Sequence, residues 1–238
     1  MKKTNYLIAS FCVLAASLTF GCIQYNKPVV EKILTKEEQD KLTPDSVLEA
    51  LREGNKRFVT GNLTIRDHNE QVRKSVQGQY PKAIVLSCVD SRVPVEDVFD
   101  RGIGDLFVAR VAGNFVNEDI LGSMEFATKI AGAKLILVMG HEHCGAVKAA
   151  INNVQLGNIT SLVNNIKPAV KISGKFEGEK SADNPQYVHE VCQNNVHNTV
   201  SQIRKRSSII KNLEKEGKIK IVGAMYDMDS GKVEFFDK

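Results

Sequence analysis

AIVLSCVDSRVP, Ala83 to Pro94, and LILVMGHEHCGA, Leu135 to Ala146, decide the fold of this 238-residue chain. Each opens as a short apolar run rich in β-branched residues, the composition of a strand buried on both faces, and each passes into small and polar residues. In an open parallel sheet, that end of the strands is where ligands bind. Cys88 closes the first run, and His141 and Cys144 close the second. Two thiolates and an imidazole suit zinc, and three protein ligands leave a fourth position for water, as catalytic rather than structural sites do. Asp90 and Arg92 stand beside Cys88, where a guanidinium can hold a carboxylate in one orientation through a two-point hydrogen bond. A cysteine taken alone usually fills core space. The combination C-x-D-S-R with G-H-x-x-C-G is what turns the reading toward a metal.

At these residues the chain resembles the β-class carbonic anhydrases. The first motif of that family stands here as Cys88-Val89-Asp90-Ser91-Arg92 and the second as Gly140-His141-Glu142-His143-Cys144-Gly145. The resemblance runs from Val47 to the C-terminus. It implies a Zn2+ ion on Cys88, His141 and Cys144, a catalytic dyad of Asp90 and Arg92, and reversible hydration of carbon dioxide to bicarbonate and a proton. It also implies a homodimer or a multiple of one. In some members the aspartate occupies the fourth metal position in a resting form, which makes Asp90 a candidate ligand as well. His143 is either a proton relay or a hydrogen-bonded loop histidine. By spacing alone it could replace His141 on the metal, and the resemblance selects His141. Two further readings keep the site: hydrolysis of carbon disulfide or carbonyl sulfide, and a non-catalytic zinc-binding envelope lipoprotein. The last leaves Asp90 and Arg92 without a purpose.

The N-terminus reads as a targeting element. Lys2 and Lys3 precede an apolar run, Tyr6 to Phe20, too short to span a bilayer as a helix and flanked like a secretory signal. Gly21-Cys22 resembles the end of a bacterial lipoprotein signal. Residues 1–21 are therefore expected to be a signal peptide, Cys22 the lipidation site, 22–42 an irregular polar tether, and 43–238 the catalytic domain. The protein is expected to be exported to the cell envelope or periplasm and to meet the membrane only through its lipid. Without Lys2 and Lys3 the 32 basic residues become 30, against 28 acidic. This near-neutral balance, with no arginine-rich helix, argues against nucleic acid as a partner.

The fold class that follows is α/β: a mainly parallel four-stranded sheet with an antiparallel edge strand, flanked by helices. Thr43 and Pro44 read as the cap and first residue of a helix with Val47, Leu48, Leu51 and Phe58 on one face, ended by Gly61. Leu106 to Ala112 reads as a strand in which Arg110 calls for a carboxylate or anion partner. Asn117 caps a crossover helix to Ala131 with Phe126 and Ile130 among its apolar residues, and a helical pattern runs from Asn158 to Ile172. On a long helix, Tyr187 to Arg204, His189 and Cys192 repeat an H-x-x-C spacing, which helical geometry alone explains, so they read as surface and packing residues. Ile219 to Tyr226 is the fourth parallel strand and Val233 to Phe236 the antiparallel edge.

Overall fold

Five strands form one sheet: β1 (Ala83–Ser87), β2 (Leu106–Arg110), β3 (Leu135–His141), β4 (Lys220–Tyr226) and β5 (Val233–Phe235). The computed structural model that shows them describes residues 29–236. Their order is β2-β1-β3-β4-β5, with the first four parallel and β5 antiparallel to β4, as expected. Among the described residues the helices are α1 (Lys36–Asp40), α2 (Pro44–Val59), α3 (His68–Ser75), α4 (Val95–Val98), α5 (Glu118–Glu125), α6 (Gly145–Ile151), α7 (Gly157–Asn164), α8 (Lys167–Ile172), α9 (Pro185–Arg206) and α10 (Ser208–Lys215). None of them is long and apolar enough to cross a membrane. The expected signal peptide and Cys22 lie outside the described residues.

Strand alternation splits the core in two. Ile84, Leu86, Ile136, Val138 and Ile221 pack with Val191, Val196 and Ile203 of α9, with α5 and with α10. Val85, Leu135, Leu137 and Val222 pack with Val47, Leu48 and Leu51 of α2 and with α4. The predicted apolar face of α2 therefore lies on the chain's own sheet. Helix α9 presses against β3 so closely that a Cβ at Gly140 would stand 2.6 Å from Val196 Cγ2. From β1 the chain goes outward to β2, then returns past β1 to β3 and on to β4. The segments leaving β1 and β3 thus diverge, and a crevice opens at their C-terminal ends.

Several expectations are corrected. The stretch read as a tether is not free along its length: Val30 N–H donates to the Ile65 carbonyl at 2.8 Å, and α1 begins in a Thr35–Glu38 capping box. Gln39, fully buried, donates through Nε2 to the Pro81 and Ala131 carbonyls, both at 2.8 Å. These hydrogen bonds to backbone strap residues 30–42 onto the domain. Strand β2, expected to reach Ala112, ends at Arg110 and is half-buried, because it is the sheet edge. The crossover helix changes to a π-helical turn over Phe126–Ile130, closed by Ala131 N–H on the Phe126 carbonyl. That turn rotates Phe126 and Ile130 outward, where both are exposed. The pattern from Asn158 to Ile172 divides into α7 and α8 just before Pro168.

An ion cluster under the β1–β2 connection was not foreseen. Asp100, its side chain fully buried, accepts from Arg57 Nε, Arg66 Nη1 (2.7 Å), Thr64 Oγ1 (2.7 Å) and Thr64 N–H (3.1 Å). Burial alone would push its carboxyl up, but the bonds from Arg57, Thr64 and Arg66 pull it down to about 2 from an ordinary 3.8. A depressed native pKa contributes stability above the unfolded value that is lost as the pH falls from about 4 toward 2. Asp100→Asn should cost about 3 kcal/mol at neutral pH, since it leaves two guanidinium groups without their shared charge. Urea unfolding at pH 7 and pH 3 checks both: the gap between variant and wild type should narrow in acid.

Candidate metal centre

Cys88 directly follows β1, His141 ends β3, and Cys144 is the N-cap of α6. The crevice between the diverging strands therefore receives all three. Their ligand atoms lie within 4.8 Å of one another, and the two sulfurs are 4.0 Å apart and not disulfide-bonded. Two thiolates 2.3 Å from a tetrahedral ion stand about 3.8 Å apart, so the pair is already spaced for one ion. His141 Nδ1 sits 2.8 Å from the Glu142 carbonyl oxygen. A carbonyl can only accept, so Nδ1 carries the hydrogen and Nε2 presents its lone pair. That Nε2 is buried and has no hydrogen-bond partner among the described residues. A buried acceptor left unmatched beside two thiols is what a borderline-soft divalent cation completes, so the residues fit zinc.

Charge within the site is biased the same way. The hydrogen bond with Cys144 lowers the Cys88 thiol well below its ordinary range against the opposing effect of burial, with the Gly113 N–H assisting. Cys144 is pushed up by Cys88 and by burial. Cys192, one of the three buried cysteines among the described residues, is raised to about 12 by burial and stays a neutral filler. His189 turns the other way, Nδ1 lying 3.2 Å from Glu142 Oε1 at the surface. The second H-x-x-C thus splits into a packing residue and a surface residue.

Asp90 lies outside the ligand group. Arg92 donates to it from Nε (2.9 Å, Oδ1), from Nη2 (2.8 Å, Oδ2) and from its backbone N–H (3.0 Å, Oδ1). Those hydrogen bonds, chiefly the side-chain ones, hold the Asp90 carboxyl well below the usual carboxylate range despite partial burial. Asp90 Oδ2 still faces the cluster, 3.9 Å from His141 Nε2. His143, the alternative ligand, is exposed, has φ +52°, and is not in the group. His143→Ala should therefore purify with the same metal content as wild type, by metal analysis of the two proteins side by side.

Arg110 is the residue whose role the sequence misread. Being exposed, it avoids the burial cost that called for an anion, and its partners are backbone oxygens. Nε donates to the Cys88 carbonyl at 2.8 Å and Nη2 to the Asp90 carbonyl at 2.6 Å. It clamps the loop that carries both the thiolate and the carboxylate.

The carbonic anhydrase family profile matches residues 83–233. Carbonic anhydrase 2 of Mycobacterium tuberculosis (strain ATCC 25618 / H37Rv) is 38% identical over 195 residues, which cover 79% of this chain and 91% of that protein. The carbonic anhydrase of Mycolicibacterium smegmatis is 36% identical over 197 residues, covering 80% and 92%. Among solved structures, the Coccomyxa β-carbonic anhydrase in complex with acetazolamide aligns at a TM-score of 0.64 and 25% identity, over 81% of this chain and 85% of that one. A tetrameric β-carbonic anhydrase of Sordaria macrospora aligns at 0.62 and 21%, over 70% and 86%, and shares the fold.

Proposed function

The chain belongs to the β-class carbonic anhydrase family, and from that premise we propose that the carbon dioxide it hydrates reversibly to bicarbonate and a proton reacts at a zinc ion held by Cys88, His141 and Cys144. It is an enzyme, a carbonate dehydratase of the lyase class. The pair of sulfurs 4.0 Å apart, facing an unpartnered His141 Nε2, is the observation that supports the metal assignment. When bound, the ion would acidify water in its remaining position to a pKa of about 7. Asp90 and Arg92 supply the orientation. With Arg92 holding it ionised, Asp90 can only accept hydrogen bonds, so an O–H in contact with Oδ2 must donate to it and turn its lone pair elsewhere. Arg92 also keeps the carboxylate at its own side of the crevice, and Arg110 fixes the backbone from which both Cys88 and Asp90 project.

The readings as a carbon disulfide or carbonyl sulfide hydrolase and as a non-catalytic envelope protein are not favoured, because the relatives named above are carbonic anhydrases. The chain is expected to act as a homodimer or a multiple of one. The half-buried edge strand β2 and the open groove beside it, lined by Phe107, Ile120 and Phe126, support that expectation. Export to the cell envelope with lipid on Cys22 rests on the N-terminal sequence alone. Stopped-flow hydration of carbon dioxide, with metal analysis of the same sample, tests the proposal: one zinc per chain and rapid hydration are expected. A protein that hydrates no carbon dioxide when fully zinc-loaded would overturn it.

A further inference from the structure

Beyond β2 the chain makes a tight turn whose geometry bears on the metal thiolate. Val111 N–H donates to the Ser87 carbonyl at 3.1 Å, continuing the β1–β2 ladder, and Asn114 N–H returns to the Val111 carbonyl at 2.9 Å. Gly113, third of the four residues, has φ +81°, while Ala112 before it has no positive φ. That is a type II turn, which requires a left-handed residue at its third position. A type I turn of the same four residues differs mainly by a flip of the peptide between the second and third. Here that peptide carries the Gly113 N–H, which donates to Cys88 Sγ at 3.3 Å. Flipped, it would point a carbonyl oxygen toward the sulfurs instead. The metal centre therefore depends on which way one peptide faces.

Two features fix Gly113 in place. A Cβ at Gly113 would stand 2.4 Å from Ile166 Cδ1, and the φ of +81° would strain any other residue, so the position favours glycine. The other is Asn195 of α9, whose Nδ2 donates to the Gly113 carbonyl at 2.7 Å. Exchanging its amide atoms would set oxygen against oxygen, so this orientation is fixed by the acceptor. Asn195 is almost fully buried, and its Oδ1 has no hydrogen-bond partner among the described residues. Keeping a half-satisfied amide inside an apolar helix face costs stability, and its one bond is made to the turn.

We propose that Asn195 is a positioning residue for the metal centre: by holding the Gly113 carbonyl it anchors the exit peptide of the turn, and with it the place of the glycine whose N–H donates to the Cys88 thiolate. The inference rests on the zinc reading above. Asn195→Leu keeps the volume and removes the donor. In cobalt-substituted protein, a thiolate that has lost an N–H donor has a higher-lying sulfur donor level, so its sulfur-to-cobalt charge-transfer band moves to longer wavelength. In the zinc form, chelator competition should show affinity lowered about tenfold, the scale for losing a group that supports a ligand. Loss of packing alone would lower the unfolding midpoint and leave the band in place. A folded Asn195→Leu with an unshifted band and unchanged affinity overturns the proposal. If the variant does not fold, wild-type protein loaded with spin-active cadmium decides. Scalar coupling between the metal and the Gly113 amide proton, through the N–H···S bond, is expected, and its absence overturns the proposal. A wild-type protein that binds neither cobalt nor zinc at these residues would instead sink the zinc reading together with it.

Discussion

Cys88→Ser and His141→Ala should each yield a folded protein that copurifies with little zinc and hydrates carbon dioxide no faster than the buffer. A hydroxyl in place of a thiolate is a poor partner for a borderline-soft ion, and loss of the imidazole leaves two ligands where three are needed. Affinity should fall by about a thousandfold or more, beyond the roughly 10–100-fold typical when only a supporting group is lost. The fold survives because the three side chains project from the ends of β1, β3 and the start of α6, while the core beneath them is built of apolar contacts the metal does not make. Zinc then stabilises the native protein by mass action alone, about 4 kcal/mol at a thousandfold excess over its dissociation constant. Chelator-treated wild type should thus melt cooperatively at a lower temperature and regain the difference on adding zinc. Retention of one zinc per chain and normal hydration in Cys88→Ser would falsify the assignment.

The second large effect separates orientation from binding. Arg92→Ala and Asp90→Asn should both keep their zinc, because neither residue is in the ligand group. Both should lower kcat by on the order of a hundredfold, the scale for removing a single preorganised group that acts on the reacting atoms. The routes differ. Asp90→Asn replaces an acceptor-only group by one that also donates, so the orienting hydrogen bond is no longer unique. Arg92→Ala removes the three hydrogen bonds that hold Asp90 at its own side of the crevice. The freed carboxylate could then approach the cluster, whose His141 Nε2 is 3.9 Å from Oδ2. Metal analysis with stopped-flow hydration reads both variants. Zinc loss parallel to activity loss would return Asp90 and Arg92 to a structural role.

What the sequence shows of this fold follows from how each feature is encoded. β1 and β3 are continuous apolar runs with no competing period, and α2 carries its own start signal in Thr43 and Pro44, so each is readable from a short window. The clustering of Cys88, His141 and Cys144 was readable because the three residues sit where two such windows end. Features set by distant partners leave no such trace. The docking of residues 30–42 depends on Gln39 reaching Pro81 and Ala131, and a polar glutamine in a polar stretch looks like solvent-facing chain. Asp100 likewise reads as a loop carboxylate until Arg57 and Arg66 are brought to it. Arg110 was misread for the opposite reason: its apolar neighbours suggested burial, whereas β2 is an edge and the side chain is exposed. Asn195 carries no local signal either, being a buried polar residue on a mostly apolar helix face that also holds Thr199.

The strap of residues 30–42 also sets a distance. Val30 is already hydrogen-bonded to the domain, so if the proposed lipid is carried on Cys22, at most seven residues, 23–29, would separate it from the folded body. Fully drawn out, the span from Cys22 to Val30 is at most about 30 Å, a single bilayer core's thickness. Under the proposed lipidation the catalytic body would be held within roughly its own width of the lipid surface.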